Sequence, residues 1–458
     1  MRVSSQHMNP SVRQDTRKQA AFGPLFLFCP HKSIVGKLQQ VGRLPSSRCY
    51  CGDTEQLLRL HFAPLESGLQ QHKHTAFILA LFSEARICLM RQKTILAVLA
   101  IVLLSAGCSN INPYYDAGKR HHTPQGFTNN YPPNPAYRRP DIGFIKGWIA
   151  RLKNWTTHSE SRDPLVPILP VKPDLAFIHQ NKTEPALTWI GHATFLFQTG
   201  SGVNILTDPV FEERASPLPF AGPKRHQSPG IALAELPHID AVLISHAHYD
   251  HLSVDSLRAL YRQPGGAPML YAPLGVDLWL EKHITGGDRS RIVKLDWWDK
   301  VTFRDLELHL LPVFHWSSRT PWDRNTTLWG AYAVTRPEFS FFFSGDLAYS
   351  PDVQDIAARF EGFDLAAIGI GAYQPIWYRN SHVSPEEAVR IHRELRIKRS
   401  VGMHWGTFPM GQERLDQAPR DLAVARQAQG VADDAFFVIR HGETYRPQQV
   451  RHSAKAGQ

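Results

Sequence analysis

Short apolar runs that end in polar residues recur along residues 141–446. Runs of this length, bounded by turn residues, are typical of buried β-strands. We predict strands at residues 203–207, 239–245, 306–313, 339–344, 365–370, 400–403 and 435–440. Helices alternate with the strands, and we predict them at residues 252–261, 384–395 and 419–429. Ser384, Pro385 and Glu387 are typical of a helix start, and Gly430 ends the last helix. Strands that alternate with helices predict an α/β fold.

The strand predicted at residues 239–245 runs directly into a polar cluster, HAHYDH at residues 246–251. Because six consecutive residues cannot all surround one ion, two neighbouring metals are the easier geometry, with His246 and His248 facing one ion and Asp250 and His251 the other. Imidazole and carboxylate ligands without thiolate suit zinc, with iron or manganese as alternatives. A surface histidine cluster is the other interpretation, but the apolar run before the cluster disfavours it.

Three further ligand-type residues follow later predicted strands, namely His315, Asp346 and His404. A single His or Asp in such a place is more often a hydrogen-bonded core residue than a ligand. Together, each at the end of a strand, they indicate one rim on which all three converge with the 246–251 cluster.

This arrangement resembles the metallo-β-lactamase superfamily. The resemblance implies an αββα sandwich with a two-metal site at one sheet edge. It also implies that His246, His248 and His315 hold one metal, that Asp250, His251 and His404 hold the other, and that Asp346 bridges them. Asp250 and Asp346 are the candidate catalytic carboxylates, and two Zn²⁺ ions are the expected cofactors. Since the superfamily has no fixed chemistry, these residues alone predict only a metal-dependent hydrolase.

Longer motifs are similar to the N-acyl-phosphatidylethanolamine-hydrolysing phospholipase D branch. They are TWIGHAT at 188–194, LTDPVF at 206–211, HWSSRT at 315–320, WDRN at 322–325, GAY at 371–373, HVSPEEA at 382–388 and HWGTF at 404–408. The branch implies that Tyr249 and His382 contact substrate, and allows a homodimer. Its reaction is attack of hydroxide held between the metals on phosphorus, which yields an N-acylethanolamine and phosphatidic acid.

Two other functions stay open at this point. One is hydrolysis of a carboxylic ester or lactone on the same fold, and the other is a metal-binding envelope lipoprotein without turnover. Aromatic residues crowd the loops beside the ligands, and they form either an apolar wall for acyl chains or ordinary packing: Trp316, Trp322, Trp329, Tyr373, Trp377 and Tyr378. His192, His226 and His392 are predicted to be structural.

The charge and cysteine content of the chain argue against nucleic-acid binding and against cysteine-based chemistry. Residues 1–89 hold 11 of the 51 Lys and Arg residues but only 5 of the 41 Asp and Glu residues, so most of the +10 charge lies there. The later chain has no basic stripe with interleaved aromatics, so we expect no nucleic-acid partner. All five cysteines lie within the first 108 residues. A disulfide framework or a cysteine nucleophile is therefore excluded from the hydrolase region.

Residues 90–108 resemble a signal peptide of the bacterial lipoprotein type. A cationic start is followed by an apolar run and by small residues that end at Cys108. The apolar run is too short to span a bilayer comfortably. The resemblance implies cleavage before Cys108 and a lipid on its thiol. The protein would then be anchored in the bacterial cell envelope, on the outer membrane or the periplasmic face, beside a phospholipid substrate.

The remaining segments complete the predicted organisation. Residues 1–89 show no sustained period, and we interpret them as a disordered extension from a misassigned start, with translation beginning at Met90; a genuine N-terminal extension is the competing interpretation. Residues 109–140 are rich in Pro and Asn, which favours an extended tether, although a loop packed on the domain is equally allowed. Residues 141–446 form the hydrolase domain, and residues 447–458 form a polar tail.

Overall fold

The computed structural model describes residues 111–140 and 162–447. Its strands are β1 (His122–Thr123), β2 (Gly126–Phe127), β3 (Pro185–Gly191), β4 (Thr194–Thr199), β5 (Asn204–Thr207), β6 (Ala241–Leu243), β7 (Met269–Pro273), β8 (Ile292–Leu295), β9 (Lys300–Phe303), β10 (Leu306–Leu311), β11 (Ala331–Arg336), β12 (Phe339–Phe343), β13 (Phe363–Gly369), β14 (Ile397–Met403), β15 (Phe436–Phe437) and β16 (Thr444–Tyr445). Its α-helices are α1 (Leu175–Gln180), α2 (Val254–Tyr261), α3 (Val276–Leu280), α4 (Asp352–Arg359), α5 (Pro385–Glu394) and α6 (Gln417–Gln429).

Two seven-stranded sheets form the centre of the fold, in the orders β16-β3-β4-β5-β6-β7-β8 and β15-β14-β13-β12-β11-β10-β9. Strands β5 to β8 are parallel to one another, and so are strands β12 to β15. The inner faces of the sheets share one apolar core, in which the rings of Phe197 and Phe341 lie 4.5 Å apart. Helices cover the outer faces. The predicted αββα sandwich of the metallo-β-lactamase fold is confirmed.

Strand β6 shows why the predicted strands are apolar without alternation. Ala241 and Leu243 belong to the core between the sheets. Val242 belongs to the second core, where helices α2 and α3 pack on the outer face. Successive side chains point to opposite faces of a strand, so a strand covered on both sides must be apolar throughout. The other predicted strands and the three predicted helices are present with similar bounds, although the last strand is shorter than predicted.

The N-terminal segment, residues 111–140, packs against the domain, which corrects the expectation of an extended tether. Asn112 is buried, and its side-chain amide donates to the carbonyls of Thr123 and Gly126 at 3.2 and 2.8 Å. Farther along, the side chain of Asn129 exchanges two hydrogen bonds, of 2.9 and 3.0 Å, with the backbone of His315. The packed-loop alternative is therefore the one that the structure favours.

Asp296 is the main attachment point of this segment. Its carboxylate lies 2.7 Å from Nε2 of His121, 2.9 Å from Nε2 of His122 and 2.5 Å from Nζ of Lys119. His121, His122 and Asp296 are residue types that can hold a metal ion. Here, however, the ammonium of Lys119 already supplies a positive charge beside the carboxylate. The contact is therefore an ion-paired anchor, formed between residues more than 170 positions apart.

Several sequence predictions lie outside the described residues. They concern residues 1–89, the signal peptide with Cys108, and all but the first residue of the tail 447–458. None of the helices within residues 111–140 and 162–447 is long and apolar enough to cross a membrane.

Candidate metal centre

The candidate centre lies where strands of both sheets end. Strands β5 and β6 are parallel neighbours in the first sheet. Asp208 directly follows β5, and His246 lies three residues after the end of β6. In the second sheet, Asp346 and His404 follow the parallel strands β12 and β14. Because carboxyl ends of parallel strands meet at one edge, the fold carries these side chains to the same place.

The loop at residues 246–251 is held in a tight turn. The backbone N–H groups of His251 and Leu252 both donate to the carbonyl of His248, at 3.1 and 2.8 Å. The guanidinium of Arg319 donates to the carbonyls of Ala247 and Leu252 at 2.9 and 2.8 Å. These bonds hold the loop in a conformation that brings its imidazoles and its carboxylate together in two clusters of ligand-type side chains.

The first cluster contains His246, His248, His315 and Asp346, whose ligand-type atoms all lie within 4.8 Å of one another. Nε2 of His246 lies 2.7 Å from Nδ1 of His248, which lies 3.3 Å from Nε2 of His315. Oδ2 of Asp346 lies 3.8 Å from Nε2 of His246 and 3.7 Å from Nε2 of His315. The structure thus brings together the residues predicted for one metal.

The second cluster contains His192, Asp250, His251 and His404, whose ligand-type atoms all lie within 4.8 Å of one another, and it lies beside Asp346. Oδ2 of Asp250 lies 3.6 Å from Nε2 of His251 and 3.5 Å from Nε2 of His404. Asp346 directs Oδ2 to His251 and Oδ1 to His404, each at 3.2 Å. Asp346 contacts both clusters, which is the position predicted for a bridging ligand. The ligand roles themselves stay a prediction.

Hydrogen bonds fix the orientation of two of the imidazoles. Nδ1 of His251 lies 2.7 Å from Oδ2 of the buried Asp208. Nδ1 of His315 lies 2.7 Å from the carbonyl oxygen of Ser381. A ring whose Nδ1 donates to an oxygen presents the lone pair of Nε2 to a metal, and such supporting bonds are typical of metal sites.

The electrostatics of the cluster suit a cation. Burial alone would raise the pKa of Asp250 and Asp346, but the nearby imidazoles, above all that of His251, hold both pKa values well below the usual range. Burial lowers the pKa of His246 well below its usual value and that of His248 to about 4. Ionised carboxylates and neutral imidazoles are the forms that bind metal.

The two carboxylates raise the pKa of two further imidazoles. Burial would lower the pKa of His404, but Asp346 and Asp250 outweigh it and raise that pKa to about 9. The pKa of His251 is also raised well above its usual value, because the two carboxylates outweigh the effect of burial. Nε2 of each ring is buried without a hydrogen-bond partner. The residues therefore fit a metal centre, in which a cation would take the place of these protons.

The two predicted substrate contacts lie at different distances from the ligands. His382 is beside Asp346, with Nδ1 3.7 Å from Oδ2, and its ring lies 5.1 Å from that of His404. Tyr249 is half-buried, and the guanidinium of Arg319 lies 4.0 Å from its ring centroid. Both contacts with substrate stay predictions.

The aromatic residues beside the site differ in how far they are exposed. Trp329 and Tyr373 are buried, and they donate to the carbonyl of Val313 and to Asp421 respectively, so they are packing residues. Trp316 is half-buried, and its ring lies 4.2 Å from that of His248. Trp322 is 81% exposed, while Trp377 and Tyr378 are half-buried.

Sequence reasoning missed two residues of the site. Asp208 accepts hydrogen bonds from the backbone and hydroxyl of Ser245 at 2.7 and 2.6 Å, besides its contact with His251. His192, predicted to be structural, lies 3.0 Å from a carboxylate oxygen of Asp250. Asp208 directly follows strand β5, and His192 directly follows strand β3. A search for ligand-type residues at the ends of strands could therefore have found both. His392 instead bonds Ser400, away from the centre.

Comparisons with known proteins agree with this architecture. A family model described as a beta-lactamase superfamily domain matches residues 203–405. N-acyl-phosphatidylethanolamine-hydrolyzing phospholipase D 1 of Caenorhabditis elegans is 34% identical over 341 residues, which are 72% of this chain and 92% of the relative.

Two further relatives extend the similarity to other organisms. An uncharacterized protein of Mycobacterium tuberculosis is 38% identical over 277 residues, or 60% of this chain and 72% of the relative. The mitochondrial N-acyl-phosphatidylethanolamine-hydrolyzing phospholipase D of Saccharomyces cerevisiae is 29% identical over 257 residues, or 54% of this chain and 53% of the relative.

Proposed function

We propose a specific reaction from the premise that the chain belongs to the metallo-β-lactamase superfamily of metal-dependent hydrolases, in the same family as the Caenorhabditis elegans phospholipase. The reaction is hydrolysis of the phosphodiester of an N-acyl-phosphatidylethanolamine-like phospholipid. Its products are an N-acylethanolamine and phosphatidic acid. The observation that carries the proposal is the pair of His and Asp clusters that share Asp346.

Two Zn²⁺ ions would be held by His246, His248 and His315 at one position and by Asp250, His251 and His404 at the other, with Asp346 shared. When bound, two such ions supply charge neutralisation of a phosphate and a water of lowered pKa. The chain's own contribution is to hold two carboxylates ionised and three imidazoles neutral in a buried cluster. Ionised carboxylates there keep the acceptor form that a ligand needs.

His382 and Tyr249 are the side chains proposed to receive the substrate headgroup. Burial lowers the pKa of His382 to about 4, so its imidazole is neutral at pH 7. A neutral imidazole has one N–H donor, which can hydrogen-bond a phosphate oxygen without competing for the cations. Tyr249 offers a hydroxyl from the loop at residues 246–251. Trp316, next to His248, supplies an apolar surface for part of an acyl chain.

Product analysis tests the reaction. The purified protein, loaded with Zn²⁺, is given N-acyl-phosphatidylethanolamine, a simple phosphodiester, a lactone and a carboxylic ester. We expect phosphatidic acid and N-acylethanolamine as products. Hydrolysis of the lactone or ester with none of the phosphodiesters would contradict the proposal. No turnover of any of them, with two ions bound per chain, would favour the non-catalytic alternative.

A substitution of Asp346 tests the shared carboxylate. We expect Asp346→Asn to lower kcat at least about 10³-fold, which corresponds to roughly 4 kcal/mol, and to lower bound metal below two ions per chain. Asp364→Asn is the matched control, because Asp364 bonds Ser340 and Lys398 instead of the cluster. An active Asp346→Asn enzyme with full metal content would refute the bridging role.

We further propose that a lipid on Cys108 anchors the protein in the envelope, which would place it beside its lipid substrate. The sequence around Cys108 supports this. Intact-mass measurement of the native protein is the test, with a diacylglyceryl-modified chain starting at Cys108 as the expected result. A native chain that still carries residues 1–89 would contradict it.

A further inference from the structure

His192 lies at the centre of the second cluster, yet neither predicted set of metal ligands includes it. Its side chain is fully buried. Its ring centroid lies 3.9 Å from that of His404 and 5.4 Å from that of His251. Nε2 lies 3.0 Å from Oδ2 of Asp250, while Nδ1 has no hydrogen-bond partner.

The backbone of His192 is held in an unfavourable conformation. Its φ is +55°, in the left-handed region that residues with a side chain rarely adopt. Such a conformation is strained and persists only where the surroundings enforce it. Here Thr407 accepts from the backbone N–H at 2.7 Å, and the carbonyl accepts from Trp189 and His404 at 3.0 and 3.2 Å.

The contact with Asp250 is a hydrogen bond. Nε2 of His251 and of His404 lie 3.6 and 3.5 Å from Oδ2 of Asp250, which is too long for one. The 3.0 Å contact of His192 is within the normal range. A neutral imidazole has a single N–H. Since Nδ1 of His192 faces no acceptor, that hydrogen belongs on Nε2, pointing at the carboxylate.

We propose that His192 is a positioning residue that fixes the rotation of the Asp250 carboxylate toward His251 and His404. Ligating carboxylates are typically hydrogen-bonded, and loss of such a partner lowers metal affinity about 10–100-fold. The proposal rests on the metal centre proposed above. It makes His192 necessary for tight binding of only one ion, the one assigned to Asp250, His251 and His404. His192 acting instead as a ligand is the competing role.

Metal binding by the full chain separates these roles. Zn²⁺ affinity is measured by chelator competition for wild type, His192→Leu and His192→Gln, and the absorption spectrum is recorded after Co²⁺ loading. Gln can place an amide N–H near the position of Nε2, whereas Leu has no donor. We expect Leu to weaken one of the two ions at least about 10-fold. Gln should restore that affinity and a wild-type Co²⁺ spectrum.

His392→Leu is the matched control. His392 is also buried, and its Nδ1 makes one hydrogen bond, 2.8 Å long, to Ser400. The control should lose stability without losing either ion. His192→Leu with both affinities unchanged, an equal loss in His392→Leu, or a His192→Gln protein as defective as the Leu variant would each overturn the positioning role.

If His192→Leu does not fold, His192→Gln is compared with His192→Asn, whose amide reaches only the position of Nδ1. Equal Zn²⁺ affinities would then overturn the proposal, and a stronger ion in the Gln variant would support it. If the wild-type chain binds fewer than two ions, the proposed metal centre is wrong. If wild type and every variant bind two ions with unchanged affinities, only the proposed role of His192 is wrong.

Discussion

Replacing Asp296 with Asn removes the charge that holds the N-terminal segment to the domain. Asp296 is 2% exposed, and its carboxylate accepts hydrogen bonds from Lys119, His121 and His122. Hydrogen bonds to a charged group contribute about 1.5–3 kcal/mol each, and breaking a buried ion pair costs about 3–5 kcal/mol. Because Lys119 is 42% exposed and can be hydrated, we expect a net loss of about 2–4 kcal/mol.

The loss should appear first as release of the N-terminal segment. Lys119 and Arg120 are exposed trypsin sites within it. We expect trypsin to cleave there at least about 10-fold faster in Asp296→Asn, since each 1.4 kcal/mol changes an opening equilibrium tenfold. Asp434→Asn is the control, because its ion pair with Arg399 is exposed. Cleavage of Asp296→Asn at the wild-type rate, with unchanged urea unfolding, would refute the anchoring role.

The anchor should also depend on pH. Burial alone would raise the pKa of Asp296, but His121 and Lys119 outweigh burial and hold that pKa below its usual value. A group with a lowered folded-state pKa stabilises the protein above its unfolded-state pKa, about 3.9, and loses that contribution as pH falls below it. The difference in unfolding free energy between wild type and Asp296→Asn should therefore shrink as pH falls below about 4.

Three further changes test other parts of the structure. Gly371→Ala would put a Cβ 2.0 Å from the carbonyl oxygen of His404, so we expect a loss of about 1–3 kcal/mol in urea unfolding. Gly369→Ala, whose nearest atoms are 4.0 Å away, should cost less, and equal effects would contradict the argument. Asn129→Leu removes both bonds to the backbone of His315, so we expect a loss of about 1–3 kcal/mol and weaker metal binding; wild-type values for both would refute it. Dialysis against a chelator should lower the melting temperature, because ligands at 100 times Kd stabilise by about 2.7 kcal/mol, and restored Zn²⁺ should reverse it. A melting temperature unaffected by either step would argue against a structural metal centre.

The layout of the centre could be predicted because its residues follow apolar strands. The run at residues 246–251 is local in sequence, and His315, Asp346 and His404 each come after a strand recognisable by composition. Parallel strands carry such residues to one edge whatever the loops between them do. Fold and candidate ligands therefore follow from short-range patterns.

The N-terminal segment could not be predicted in the same way. Its Pro and Asn content excludes a long helix, but it says nothing about partners. The partners are charged residues far along the chain, such as Asp296 and Asp352. His192 was also missed, although it directly follows strand β3, because its contact with Asp250 joins residues far apart in the sequence and its left-handed backbone leaves no periodic signal.

The buried position of Asn112 limits the distance between the domain and any lipid on Cys108. Four residue steps separate Cys108 from Asn112, and a fully extended chain covers at most about 3.6 Å per step. A lipid on Cys108 would therefore be attached to the chain within about 14 Å of Asn112. A 32-residue flexible tether would let the domain sample a wide volume above the bilayer. A connection this short would instead keep the domain at the membrane surface and restrict its rotation. The phospholipid substrate would then reach the enzyme by lateral diffusion in the bilayer.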